Sequence, residues 1–147
     1  MERRYLPRVM PFDALIGVLV AEHATMKDGL RRVREAAEKS QFEEASAALK
    51  ELEGVFRQHI ADEEAQIVRL LVGELGVKGA EEEIKVFQQH RPIYRLIQAV
   101  SELASMKGSE LAAEQTKLAV LFEEHTTAEE GRVFPKALRC YESRGKA

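Results

Sequence analysis

The stretch FRQHIADEEAQIV, residues 56–68, sets His59, Glu63 and Ile67 four residues apart. Residues at that spacing lie one above another on an α-helix, so the segment reads as a helix with an imidazole, a carboxylate and an aliphatic side chain on one face. The first two are costly to bury, while the third gains by burial. FEEHTTAEEGRVF, residues 122–134, repeats the arrangement with His125, Glu129 and Val133. A face this mixed, present twice, calls for a function for its polar members.

The flanking sequence extends the pattern to four helices. In the first, Phe12, Ile16, Leu19, His23, Met26, Leu30, Val33 and Ala37 step by fours and threes, which draws one stripe along an α-helix. The second carries Leu49, Leu52, Phe56, His59, Glu63, Ile67 and Leu70, and Ser40 with Glu43 is expected to form a capping box before it. Gly73, Gly76 and Gly79 punctuate the next turn. The third runs through Ile84, Phe87, His90, Tyr94, Ile97 and Val100, where Pro92 predicts a kink or a missing backbone hydrogen bond. Gly108 and Ser109 mark the last turn, Ser109 as the expected N-cap. The fourth carries Leu111, Leu118, Phe122, His125, Glu129 and Val133, with a bend expected around Gly131 and Pro135. No sustained period-two pattern suggests a strand. The expected fold is all-α: an up-down-up-down four-helix bundle over residues 12–142, an irregular N-terminal arm over 1–11 and a short tail over 143–147.

The 147 residues suit one domain with one core. Apolar residues make up 45 % and charged residues 32 %, the balance of a folded helical protein rather than a disordered chain. A net charge of −3 with mixed signs gives no basic face for nucleic acid. The start MERRYLPR followed by ALIGVLVA superficially suggests a secretion signal, but Pro7, Pro11 and Asp13 interrupt it and the apolar run continues into the helix of His23. No run approaches the roughly 18 apolar residues of a membrane span. The single cysteine, Cys140, excludes an internal disulfide framework and fits a reducing compartment, so a cytoplasmic monomer or homodimer is expected.

All four histidines lie on the apolar stripe of their own helix, one per helix. His23 and His90 are 67 positions apart (90 − 23) and His59 and His125 are 66 apart (125 − 59), so two helical hairpins carry equivalent histidines. With turns centred near residues 40, 76 and 108, each histidine stands 14 to 19 residues from the turns beside it. At about 1.5 Å rise per residue, antiparallel packing brings all four imidazoles to one level at mid-bundle. Glu63 and Glu129 point inward with them. A carboxylate isolated there would cost several kcal/mol or take up a proton; a metal ion removes that penalty. Four imidazoles and two carboxylates suit a dinuclear site, because a carboxylate can bridge two cations. A metal-free network of His⁺ and Glu⁻ pairs is the plainer alternative, weakly favourable at best when buried. A single zinc ion is another, although structural zinc prefers four ligands and six are offered.

These residues resemble a known family. A histidine in the first helix (AEHATM), H-x-x-x-E in the second (HIADEE), a histidine in the third (FQQHRP) and H-x-x-x-E in the fourth (HTTAEEGRVFP) are similar to the hemerythrin-like, HHE cation-binding domain, over residues 12–140. The resemblance implies a non-haem di-iron centre, two iron ions bridged by Glu63, Glu129 and an oxo or hydroxo group. His23 and His59 would serve one iron, His90 and His125 the other. It implies binding or sensing of O₂, NO or a related small ligand, or of iron itself. The alternative is an enzyme acting on O₂, peroxide or NO, or a donor of iron for repair of iron centres. Oxygen-carrying members have a further histidine one turn after the third-helix ligand. Here that position is Tyr94, which could ligate iron, hydrogen-bond a bound ligand, or pack with its hydroxyl satisfied. Glu64 and Glu130 are expected to face solvent or to orient an imidazole, and Gln58, Gln89 and Glu124, each just before a histidine, to point away from the metals.

Overall fold

The computed structural model describes residues 5–144. All its regular structure is helical, with no strand among the described residues, consistent with a four-helix bundle. The helices are α1 (Phe12–Glu38), α2 (Phe42–Asp62), α3 (Arg69–Gly79), α4 (Glu81–Gln88), α5 (His90–Ser105), α6 (Leu111–Ala128) and α7 (Phe134–Arg144). Two π-helical turns, Glu63–Val68 and Glu129–Val133, join α2 to α3 and α6 to α7. Four rods result. α1 packs against α2 and α6, and α5 packs against the same two.

The rods end where the backbone turns left-handed, at Ser40 (φ 54°), Gly76 (φ 75°) and Lys107 (φ 55°), each within one residue of the expected turn centres. Two of these ends differ from expectation. Ser40 does not cap α2: no side-chain cap bond forms there. Its N–H donates to Ala37 O and that of Gln41 to Ala36 O, at 3.1 and 2.8 Å, the pair of bonds that closes a Schellman motif. Ser40 is thus taken up in ending α1. Ser109 likewise is not the N-cap of α6, which begins after Glu110 without a side-chain cap. Lys107 and Gly108 close α5 by the same motif, donating to Ala104 O (3.2 Å) and Leu103 O (2.8 Å).

Pro92 has the effect expected of it. Lacking an N–H, it leaves the third rod interrupted at Gln89, whose own N–H turns to Val86 O at 3.1 Å. Near Gly131 and Pro135 the fourth rod passes through a π-helical turn. Pro135 is not required for this, since Glu63–Val68 adopts the same geometry without a proline. Both π-helical turns begin at the glutamate of an H-x-x-x-E motif.

The apolar interior falls into two clusters. One contains Met26, Leu30, Leu49, Leu52, Phe56, Ile93, Ile97 and Phe122; the other contains Leu15, Leu19, Ile67, Leu71, Phe87, Val133 and Phe134. On every rod the histidine stands between a member of one cluster and a member of the other: Leu19 and Met26 around His23, Phe56 and Ile67 around His59, Phe87 and Ile93 around His90, Phe122 and Val133 around His125. A polar layer therefore divides the core at its middle.

Residues 5–11 carry no helix and are bound to the second rod. Arg8 N and Nε each donate to Asp62 at 2.7 Å, Gln58 Nε2 donates to Leu6 O and Gln66 Nε2 to Arg8 O, both at 2.7 Å. Asp62 is fully buried, and Arg8 is its counter-charge. Residues 1–4 of the expected arm and 145–147 of the expected tail lie outside the described residues. No helix among the described residues is long and apolar enough to cross a membrane.

Candidate metal centre

The structure brings all six singled-out side chains together. His23, His59 and His125 are 1 % exposed, His90 4 %, and Glu63 and Glu129 fully buried. They form two overlapping sets, one of His23, His59, Glu63 and Glu129, the other of Glu63, His90, His125 and Glu129, each with candidate ligand atoms within 4.8 Å of one another. Both carboxylates belong to both sets. His23 and His59 lie with ring centroids 4.8 Å apart, His90 and His125 at 4.9 Å.

Aromatic rings fix one imidazole of each pair. Phe134 stacks on His23 at 5.7 Å and 15°, and Phe122 meets it edge-on at 6.3 Å. Phe56 and Phe87 meet His90 edge-on at 6.0 and 5.6 Å. Rings held by such contacts cannot turn their nitrogens elsewhere without opening the core.

The outward nitrogens follow a rule. Nδ1 of His23 donates to Glu130 Oε2 at 2.8 Å, Nδ1 of His59 to Glu22 Oε1 at 3.1 Å, and Nδ1 of His125 to Gln89 Oε1 at 2.9 Å. Nδ1 of His90 faces Glu64 Oε1 at 3.6 Å. Oxygens of this kind only accept, so the proton sits on Nδ1 and the Nε2 lone pair is left for the interior. There the nitrogens crowd together. His23 Nε2 is 3.2 Å from His59 Nε2 and 3.2 Å from Glu129 Oε1, His125 Nε2 is 2.8 Å from Glu129 Oε1, and His59 Nε2 contacts Glu63 Oε1. Lone pairs aimed at lone pairs and at carboxylate oxygens are relieved by a proton or a metal ion between them, and these groups could hold a metal ion.

The unsatisfied atoms point to the same place. Both oxygens of Glu63, Oε2 of Glu129, Nε2 of His125 and both ring nitrogens of His90 are buried without a hydrogen-bond partner, an unusual concentration in a folded core. Burial and the neighbouring Glu129 push the Glu63 carboxyl well above its ordinary range. Glu129 is held well below its own: burial acts against this, but the polar groups of Glu63, His125, His23 and His59 around it prevail. Burial likewise opposes charge on His59, yet the Glu63 charge and bonds to Glu129 and Glu22 raise it well above the usual histidine value. His90 is lowered, chiefly by burial.

Two residues at the periphery take roles that the sequence did not signal. Gln89 does point away from the interior between its own helix and the metals, but it reaches His125 on the neighbouring helix and is its hydrogen-bond acceptor. Glu22, with no signal in the sequence beyond preceding His23, does the same for His59. Tyr94 joins neither set; its hydroxyl donates to Glu53 Oε1 at 3.3 Å. Cys140 is a free, half-buried thiol. Among known proteins, no family model matches the chain, and no curated protein or solved structure matches it.

Proposed function

We propose that this chain is a hemerythrin-like, non-haem di-iron protein that binds or senses O₂, NO or a related small ligand, or iron itself. The observation that carries this reading is the sharing of Glu63 and Glu129 by two sets that each add a separate pair of inward Nε2 atoms. That is the donor pattern of two cations bridged by two carboxylates. Oxygen and imidazole nitrogen suit iron as well as other divalent metals. A metal-free ion-pair network pairs His59 with Glu63 but leaves Oε2 of Glu129 and both ring nitrogens of His90 without a hydrogen-bond partner.

The up-down-up-down order and the N-terminal arm form part of this reading. Arg32 on α1 meets Glu51 on α2 while His23 meets His59, and Lys27 meets Glu123 while His23 meets Glu130. Rising numbers on one rod against falling numbers on its neighbour are what antiparallel packing gives.

Bound iron would supply redox change and open coordination positions for a small ligand. The chain's own work is to hold Nδ1 protons outward, aim Nε2 inward, exclude water with the two apolar clusters, and release protons as cations enter. The second reading, an enzyme acting on O₂, peroxide or NO or donating iron, is favoured by a surface groove that reaches His90. Repeated turnover with a reductant marks an enzyme; one stoichiometric oxidation marks a binder or sensor.

Anaerobic titration with ferrous iron tests the proposal. Two ions per chain are expected, followed on O₂ or azide addition by a visible absorption band that the metal-free protein lacks. Protons are expected to be released during uptake. The raised proton affinity of Glu63 and His59 sets protons in competition with the metal at those two side chains, while Glu129 and His90 are shifted the other way. Apparent affinity therefore rises with pH. One tightly held zinc ion and no iron uptake would refute the proposal.

A further inference from the structure

The internal duplication extends beyond the candidate ligands to the residues that hold them. Glu22 precedes His23 and serves His59; Gln89 precedes His90 and serves His125. Glu130 follows Glu129 and serves His23; Glu64 follows Glu63 and faces His90. Superposing one half on the other in sequence matches each partner to its counterpart, so the differences between counterparts are informative.

Three differences run in one direction. At the His23/His59 end both Nδ1 acceptors are carboxylates within hydrogen-bond distance, at 2.8 and 3.1 Å. At the His90/His125 end one acceptor is the neutral amide of Gln89, and the other, Glu64, stands off at 3.6 Å, beyond a hydrogen bond. A carboxylate accepting Nδ1–H makes the imidazole a stronger donor at Nε2 than an amide does. Secondly, Glu22 is itself fixed: the Arg8 guanidinium donates to it at 3.0 Å while gripping buried Asp62. Glu64 is 59 % exposed, against 39 % for its counterpart Glu130. Thirdly, a groove between the second and third rods, lined by Glu64, Val68, Ile84, Phe87, His90 and Arg91, runs up to the ring of His90.

We infer that the two ends of the cluster are unequal: the His23/His59 end holds its ion tightly, and the His90/His125 end holds an exchangeable ion reached through the groove beside Glu64. The inference rests on the dinuclear reading and adds to it an order of loading and loss. The first ion goes in at His23/His59. The second comes and goes at His90/His125 as iron supply changes, Glu64 and His90 being the first donors met from the groove. Glu22, Glu130 and Gln89 are positioning residues that set the difference.

The test is release of ferrous iron from the loaded protein, under anaerobic conditions, to an excess of a coloured ferrous chelator. Wild-type protein is expected to release two ions in two phases of one ion each, at least about 10-fold apart, the lower end of what outer hydrogen-bond partners contribute to metal affinity. Gln89→Glu should slow the fast phase and leave the slow one. Glu22→Gln should speed the slow phase and leave the fast one. These near-isosteric exchanges act in opposite directions on different phases, which a general loosening of the fold cannot imitate. His90→Ala should abolish the fast phase alone. Release of both ions in one phase, or loss of the slow phase in His90→Ala, overturns the inference while leaving the dinuclear reading intact. Failure to take up two ions overturns both.

Discussion

Glu129→Ala is expected to strip the protein of metal at both positions, whereas His23→Ala should empty one. Glu129 and Glu63 belong to both candidate sets, and each histidine to a single set. The contrast is read by counting metal per chain after reconstitution and desalting: none retained for Glu129→Ala or Glu63→Ala, one for His23→Ala. Retention of two ions by either carboxylate variant would remove the bridging role. A companion measurement separates function from folding. Glu63 is fully buried beside His59, whose Nε2 contacts its Oε1, and removing one partner of a buried charged pair is destabilising, whereas replacing both by apolar groups of similar volume is often neutral or stabilising. The metal-free double variant His59→Leu/Glu63→Leu should thus be as stable to urea as the metal-free wild type, or more so, while retaining no metal. Should the double variant instead unfold the metal-free chain, the pair would be structural.

Phe134→Ala is expected to produce the largest single loss of stability. Phe134 is 2 % exposed in the cluster that also contains Leu19, Ile67 and Val133, and its ring stacks on His23. Truncation of a buried phenylalanine costs about 3–5 kcal/mol through lost transfer energy and the cavity left behind. In a chain of this length that corresponds to a fall in melting temperature of roughly 10 °C. Val120→Ala, at a position 55 % exposed, should change stability by less than about 0.5 kcal/mol. Thermal melts of the metal-free proteins decide the matter. Equal melting temperatures for Phe134→Ala and wild type would show that the second apolar cluster does not hold the lower half of the bundle together.

Much of the site was legible in the sequence because its six members mark the inward face of their own helices. Helical periodicity reports that face directly, and the turn positions report height, so His23, His59, His90, His125, Glu63 and Glu129 could be placed at one level. Glu22 and Gln89 were not legible in the same way. A residue adjacent to an inward one points about 100° round the helix, which is away from the centre but toward the next rod, and its partner depends on which rod that is. The pairing of Arg8 with Asp62 has the same character, an interaction across 54 positions with no local signature. Ser40 and Ser109 misled for a different reason. A short turn serves the end of one helix and the start of the next: the left-handed closure of α1 takes Ser40 itself, while that of α5 uses Lys107 and Gly108 and α6 begins beyond Ser109, after Glu110.

The π-helical turns were invisible to a reading by fours. Each step of four overshoots a full α-helical turn by about 40°, so His59, Glu63 and Ile67 in a regular helix would wind away from the core. A π-helical turn, closing its bonds one residue later, absorbs the excess, and Ile67 and Val133 stay fully buried. Each such turn contains one spare residue relative to an unbroken helix of the same rise. Deleting one amino acid within 63–68 or 129–133 lets the flanking helices keep their neighbours, whereas the same deletion elsewhere along these rods swings every following side chain by about 100°. Changes of length in the helices of this molecule are thereby channelled to the two places that carry its buried carboxylates.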